Sequence, residues 1–174
     1  MKKLIIFILV AALVLFGTSF ALQSAAAKKA QAEHLWLMQT LLPDSKEFIR
    51  EVYDGEDANI RSVHKADNGF VIETVVYGYA DDIRMMVGVS NEGTVTGLVV
   101  MEMAETFGLG AEALTDHVFL AQLLNTSGEA EVGTNVDAIT GATVTSKAVV
   151  RSVNSAVAFV TGADTGSGAT SWGG

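Results

Sequence analysis

Residues 70–103, FVIETVVYGYADDIRMMVGVSNEGTVTGLVVMEM, hold three runs rich in β-branched, aromatic and other apolar residues. Such runs predict strands at Phe70–Tyr79, Ile83–Ser90 and Thr94–Met103. The sequence Asn91-Glu92-Gly93 between the last two runs is typical of a tight turn. Because short strands joined by tight turns pair with their neighbours, the stretch predicts an antiparallel meander.

Helical spacing begins upstream of this meander. Ala30 to Leu42 carries apolar residues on one face, and Pro43, the only proline, ends the pattern. After it, Asp44 and Ser45 are suitable caps for a short second helix that would run through residue 52. We therefore expect two helices before the sheet.

Two more helices are predicted downstream of the meander. One spans Thr115–Leu124, with an apolar face of Val118, Leu120, Leu123 and Leu124. The other spans Ser146–Val160, with a buried stripe of Val149, Val150, Val153, Val157 and Val160. Strands in one block with helices around them imply an α+β fold: a small antiparallel-rich sheet with flanking helices, preceded by one N-terminal membrane helix.

The N-terminal segment is basic and then apolar: Lys2 and Lys3 precede an uninterrupted apolar run from Leu4 to Phe16. Two interpretations stay open, an uncleaved membrane anchor of about 20 residues and a signal peptide cleaved after Ala21. Both place the remainder outside the cytoplasm. The sequence thus predicts three parts: an anchor or signal segment at 1–27, an extracytoplasmic domain at 28–162 and a flexible Gly/Ser/Thr tail at 163–174.

Charge and composition exclude several classes of function. The net charge of the 174 residues is −9, and no Lys or Arg lies between Arg84 and Lys147. Binding to nucleic acid phosphates needs a basic patch, so a nucleic-acid partner is excluded. The absence of cysteine excludes thiol catalysis, Cys-ligated zinc, iron–sulfur clusters and disulfide scaffolds.

The segment Asp137-Ala138-Ile139-Thr140-Gly141-Ala142-Thr143-Val144-Thr145-Ser146 leads directly into the last predicted helix. The first turn of a helix has free N–H groups and a partial positive charge, so it can hold a phosphate without Lys or Arg. Gly141 would let the backbone approach such a ligand closely. The alternative is an ordinary helix cap supplied by Thr143, Thr145 or Ser146.

The same segment resembles the attachment motif of the covalent FMN-binding domain family. In that motif an Asp is followed, after two variable residues, by Ser or Thr, Gly, Ala and Thr. Asp137, Thr140, Gly141, Ala142 and Thr143 occupy these positions. The resemblance implies that FMN is attached to Thr143 through a phosphoester bond made by a separate flavin transferase. It also implies that Asp137 presents the acceptor to that enzyme.

A second part of the resemblance lies about thirty residues upstream. Glu105, Thr106, Gly108, Leu109 and Gly110 match the family's Glu-Thr-Pro-Gly-Leu-Gly loop, which implies a role in binding the cofactor. The departure is an aromatic residue at position 107, where the family usually has proline. The aromatic ring can either stack on a flavin or fill the core.

The wider pattern is most similar to the G-type subunit of Rnf ion-translocating electron transport complexes. The C-type subunit of sodium-translocating NADH:quinone reductases comes next. The resemblance implies an electron-transfer flavoprotein subunit, with ferredoxin/NAD electron flow coupled to sodium or proton transport. It implies other complex subunits and membrane lipid as partners, in a bacterial inner or cell membrane. Two alternatives stay open: a free-standing anchored or secreted FMN carrier, and a cofactor-free extracytoplasmic binding domain.

The C-terminal tail contains a second match to the attachment motif, Asp164-Thr165-Gly166-Ser167-Gly168-Ala169-Thr170. No helix can follow it, because the sequence stops four residues later, so it lacks the helix dipole that would steady a phosphate. A second flavin at Thr170 is therefore the weaker hypothesis. No metal site is predicted, since His34, His64 and His117 lack the spacing of paired ligands.

Overall fold

The predicted meander is present in the computed structural model, which describes residues 26–103 and 115–163. Within these residues, five strands form one antiparallel sheet in which each strand pairs with the next along the chain. The strands are β1 (Ile49–Glu51), β2 (Ile60–Lys65), β3 (Gly69–Tyr77), β4 (Asp82–Ser90) and β5 (Val95–Met103). The predicted α+β class and the last three strands are confirmed.

The chain divides into two units, one that ends at Leu37 and one that begins at Met38. Residues 26–41 form helix α1, which confirms the helix expected before Pro43. The predicted membrane segment lies outside the described residues. Among residues 26–103 and 115–163, we find no helix with the length and apolar character needed to cross a membrane.

The short helix predicted after Pro43 is wrong. Asp44 adopts a left-handed backbone conformation with φ of 70°, and the chain then runs without regular structure into β1. Ser45 is buried, and its hydroxyl donates to the side chain of Asn68 instead of capping a helix. This tertiary contact ties the segment to the β2–β3 turn, and β1 pairs with β2. Neither β1 nor β2 is predicted by the local sequence pattern.

One face of the sheet packs against a long helix, α3 (Thr143–Thr161). Four of the five valines of the predicted stripe, Val149, Val150, Val153 and Val157, are buried against strand residues such as Ile72 and Val87. The fifth, Val160, is only partly buried at the edge of this core. Since β-branched residues have modest helix propensity, this packing supplies much of the stability of α3.

The opposite face of the sheet receives the end of α1. Gly88 of β4 lies between Val87 and Val89, whose side chains pack in the core with α3. Because successive residues of a strand point to opposite faces, the Cα hydrogen that replaces a side chain at Gly88 lies on the face away from α3. Gly88 is paired with Gly97 of β5, and a Cβ atom on Gly97 would lie 3.0 Å from the Cα of Leu41. The Thr96 hydroxyl donates to the Leu41 carbonyl at 2.6 Å. The absence of side chains at the two glycines thus allows residue 41 to lie directly on the sheet.

The helix predicted over Thr115–Leu124 is shorter in the structure: α2 spans only His117–Ala121. Its buried residues are Phe119 and then Leu123 of the following turn, whereas Val118, expected on the apolar face, is 78% exposed. The helix ends early because residues 125 and 126 pair with β5. The Asn125 N–H donates to the Val95 carbonyl at 2.9 Å, and the Val95 N–H donates to the Thr126 carbonyl at 3.0 Å.

Candidate functional site

Thr143 is the first residue of α3, and its side chain is exposed. Ala142 holds the N-cap position and makes no side-chain capping bond, and no acidic residue lies in the first turn. The interpretation in which a Thr or Ser stands at the N-cap is therefore wrong. The first N–H groups of a helix have no partner inside the helix, so this end of α3 is open to an anionic group.

Among the three hydroxyl residues of the first turn, only Thr143 is available to a ligand. Thr145 and Ser146 are both buried. The Ser146 hydroxyl accepts from the Ile139 N–H at 3.2 Å and donates to the Ala142 carbonyl at 2.9 Å. Thr143, by contrast, makes no hydrogen bond through its side chain to any residue of the described ranges. Its hydroxyl is free to act as an acceptor of a phosphoryl group.

The loop before α3 is a tight turn. The Ala142 N–H donates to the Ile139 carbonyl at 2.9 Å, and Gly141 has a φ of 82°, a left-handed value that favours glycine. Ala142 is 5% exposed, whereas Thr140 is exposed. The turn therefore buries the small residue of the motif and places the two threonines on the surface.

Asp137, the first residue of the motif, has an exposed side chain but a fixed backbone. Its N–H donates to Oε1 of Gln122 at 2.8 Å, and its carbonyl accepts from Nε2 of Gln122 at 3.4 Å. Gln122 follows α2 directly and is not among the site residues predicted from the sequence. No local pattern connects it with a residue fifteen positions further on.

Lys147 is a second residue that the sequence analysis did not assign. It is exposed and lies four positions after Thr143, so the two side chains share one face of the helix. It is the only Lys or Arg between Arg84 and Arg151. Helical spacing alone could have identified it as the cation nearest to the acceptor along the helix.

The remaining predicted site residues lie outside the described ranges. These are Glu105, Thr106, Gly108, Leu109 and Gly110 of the upstream loop and Thr170 of the tail. No group of three or more His, Asp or Glu side chains is arranged to hold a metal ion in residues 26–103 and 115–163.

The residues at the start of α3 fit a phosphate-linked cofactor. An exposed hydroxyl, an uncapped helix end and a first turn without carboxylates suit a phosphate group, which carries negative charge. Beside them Val144 is 45% exposed, so it offers apolar surface next to the acceptor. A flavin mononucleotide has both a phosphate and a large ring system, so it is a cofactor of the kind that these residues fit.

Comparison with known proteins agrees with this fit. The model of the FMN-binding domain family matches residues 78–158, which include the whole attachment motif. The G-type subunit of the ion-translocating oxidoreductase complex of Methanosarcina acetivorans is 32% identical over 161 residues, covering 84% of this chain and 85% of that protein. The G-type subunit of the Na⁺-translocating ferredoxin:NAD⁺ oxidoreductase complex of Acetobacterium woodii is 35% identical over 98 residues, 51% of this chain and 47% of that protein.

Among solved structures, the C-type subunit of the Na⁺-translocating NADH-quinone reductase from Parabacteroides distasonis aligns with a TM-score of 0.49 and 18% identity. The alignment covers 76% of this chain and 92% of that one. The assignment rests on the sequence relatives, and it confirms the resemblance found in the attachment motif. This chain belongs to the family of the G-type subunits of ion-translocating oxidoreductase complexes, and its residues 78–158 match the FMN-binding domain.

Proposed function

We propose that this chain is the electron-transfer flavoprotein subunit of a membrane-bound, Rnf-type ion-translocating oxidoreductase, with FMN attached covalently to Thr143. The observation that carries the proposal is the exposed Thr143 hydroxyl at the uncapped start of α3. The names of the relatives support the assignment to a complex of this kind. The coupled process would be electron flow between ferredoxin and NAD with movement of sodium ions or protons.

The attachment is a phosphoryl transfer in which this chain is the acceptor. A flavin transferase would supply FMN activated as a pyrophosphate, as in a flavin dinucleotide. The Thr143 Oγ1–phosphorus bond forms, the pyrophosphate P–O bond breaks, the nucleoside monophosphate leaves, and the hydroxyl proton passes to solvent or to the transferase. Since Thr143 acts only as the acceptor, it needs no base of its own for this role.

Bound FMN supplies redox chemistry in steps of one or two electrons, and the protein supplies position and electrostatics. The open N–H groups of the first turn of α3 would hold the phosphate, and Lys147 would offset its negative charge. The exposed Val144 would contact the apolar part of the cofactor. We also assign Thr140, Gly141 and Ala142 to the cofactor site, because their tight turn sets the position of Thr143.

The finer features of the proposal follow from the sequence. We propose that residues 1–27 anchor the chain in a bacterial inner or cell membrane, that residues 28–162 form an extracytoplasmic FMN-binding domain, and that residues 163–174 are a flexible tail. The other subunits of the complex, the flavin transferase and membrane lipid would be its partners. The loop with Glu105, Thr106, Gly108, Leu109 and Gly110 would complete the cofactor site.

The test is the mass of the denatured protein isolated from its native host, followed by peptide mapping. We expect an increase of one FMN less one water, located on the peptide that contains Thr143. A second increase on the tail peptide would add Thr170 as an acceptor. An unmodified mass, from a host that attaches flavin to other proteins, would contradict the redox function and favour a cofactor-free binding domain.

A second measurement separates the complex from a free-standing carrier. The full chain is extracted gently from native membranes through an affinity tag, and the co-purifying proteins are identified. We expect integral membrane proteins with several spans in a fixed ratio to this chain. Isolation of the flavin-loaded chain alone under conditions that keep other membrane complexes intact would favour the free-standing carrier.

A further inference from the structure

The side chain of Gln122 binds both backbone groups of a single residue, Asp137. Its Oε1 accepts the Asp137 N–H at 2.8 Å, and its Nε2 donates to the Asp137 carbonyl at 3.4 Å. A carboxamide carries one acceptor and two N–H donors, so it can pair with a residue's N–H and carbonyl at the same time. The pair joins α2 to the first residue of the attachment motif.

The hydrogen-bonded pair connects two parts of the chain that are themselves anchored. On the α2 side, Phe119 and Leu123 are 2% and 0% exposed, so the helix and the turn after it are held in the core. On the other side, Val136 directly precedes Asp137 and is 2% exposed. Gln122 therefore lies between two buried residues of the α2 region, and it binds the chain at Asp137, directly after the buried Val136.

Residues 137–143 are otherwise held only from the far end by side chains of the described residues. There the buried Ser146 binds the N–H of Ile139 and the carbonyl of Ala142. The side chains of Asp137 and Thr143 make no hydrogen bonds within residues 26–103 and 115–163. Within the described residues, the side chains that hold the Asp137 carboxylate in place relative to the Thr143 hydroxyl are thus those of Gln122 and Ser146, which act together with the turn closed by the Ala142 N–H and the Ile139 carbonyl.

We propose that Gln122 is a positioning residue for flavin attachment: its carboxamide fixes the backbone of Asp137, and thereby the arrangement in which the transferase meets Asp137 and Thr143. The inference rests on the proposed function. Gln122 takes no part in bond making. The bond that forms joins Thr143 Oγ1 to phosphorus, and the bond that breaks is the pyrophosphate P–O bond of the flavin dinucleotide donor.

The experiment compares Gln122→Met with a matched variant at a distant carboxamide. Met has a similar length and no hydrogen-bonding amide. Asn68 also uses its side chain to hold backbone, donating from Nδ2 to the Pro43 carbonyl at 2.7 Å. Asn68 lies beside the β4–β5 turn, and Gly93 of that turn lies next to Thr161 at the end of α3. Thr161 is about 27 Å along the helix from Thr143. Asn68→Leu therefore removes this bond, together with the one that Ser45 donates to Asn68, at a place away from the acceptor.

Two quantities are measured on the full chain: the rate of FMN incorporation by the transferase at several acceptor concentrations, and hydrogen exchange at the Asp137 amide. For Gln122→Met we expect kcat/KM to fall about tenfold, mostly through kcat, and the Asp137 amide to exchange at least tenfold faster. For Asn68→Leu we expect both values within twofold of those of the unsubstituted chain, even if Asn68→Leu lowers the melting temperature as much as Gln122→Met does.

Gln122→Glu keeps an acceptor for the Asp137 N–H and loses the donor, so we expect an intermediate rate; if Gln122→Met does not fold, this variant decides alone. The proposal is overturned by normal incorporation into the substituted chain, or by unchanged exchange at the Asp137 amide. Failure of the unsubstituted chain to accept flavin would instead overturn the proposed function. Equal loading of unsubstituted and substituted chains overturns only the role of Gln122.

Discussion

The two helices that follow the sheet begin in opposite ways. The five-residue helix α2 is capped by Asp116, whose carboxylate accepts from the N–H groups of Val118 at 2.8 Å and Phe119 at 3.1 Å. The nineteen-residue helix α3 begins at Thr143, and its N-cap residue, Ala142, makes no side-chain capping bond. A capping side chain usually contributes about 1 kcal/mol, so the longer helix lacks a stabilisation that the shorter one has.

The difference separates an end that is closed for stability from an end that is left open for a ligand. Hydroxyl side chains are present in the first turn of α3, but Ser146 is occupied by the preceding loop, and Thr143 points away from the core. An uncapped helix end with an exposed hydroxyl suits a phosphate group bound to that hydroxyl. Five substitutions would break or sharpen this contrast.

The largest effect is expected for Thr143→Val, which keeps the shape of the side chain and removes the hydroxyl. Covalent flavin should be lost completely, because the other hydroxyls of the first turn are buried. Mass spectrometry of the denatured protein measures the loss. Thr161→Val in the last turn of the same helix is the control and should load normally. A flavin increment that persists in Thr143→Val would show that another residue is the acceptor.

The second-largest effect is expected for Gly141→Ala. It should lower the free energy of unfolding by about 1–2 kcal/mol, because alanine disfavours a left-handed backbone. Gly133→Ala is a matched control, since Gly133 has a φ of 88° and open space around an added Cβ. Urea denaturation should show similar losses for both variants. Only Gly141→Ala should slow flavin attachment, because only that turn sets the position of Thr143. Equal attachment to both would contradict a role for the turn.

Two further substitutions remove the capping side chain of α2 and add one to α3. Asp116→Ala removes the cap of α2 and should lower the free energy of unfolding by about 1 kcal/mol with little effect on flavin attachment. Ala142→Ser offers α3 a cap and should raise the stability of the flavin-free chain by about 0.5 kcal/mol while slowing attachment. Urea denaturation and incorporation rates measure both effects. A more stable Ala142→Ser that loads at the normal rate would contradict the need for an open end.

The smallest effect is expected for Lys147→Gln. A phosphodiester at Thr143 carries one negative charge, and an exposed ion pair one helical turn away contributes about 0.5 kcal/mol. The change should destabilise the flavin-loaded chain by that amount and leave the flavin-free chain unaffected. The difference should shrink in high salt, since ions screen exposed charges. Urea denaturation of both forms at two salt concentrations is the measurement, and equal destabilisation of both would exclude the pairing.

Local pattern was sufficient for the centre of the fold and for the attachment motif. The apolar runs of β3, β4 and β5 and the valine stripe of α3 reflect contacts that repeat every two or every 3.6 residues, so they can be read from neighbouring residues. Asp137, Thr140, Gly141, Ala142 and Thr143 are nearly consecutive, so any fold of this chain keeps them together. For these parts, the sequence by itself determined both the elements and the candidate acceptor.

Contacts between distant residues decided the rest. Ser45 binds Asn68 instead of capping a helix, and the pairing of residues 125 and 126 with β5 ends α2 early. The tertiary structure also selected Thr143 as the accessible hydroxyl by burying Thr145 and Ser146, and it brought Gln122 to Asp137. These outcomes depend on which surfaces meet when the sheet and α3 pack, and no periodicity in the sequence records that.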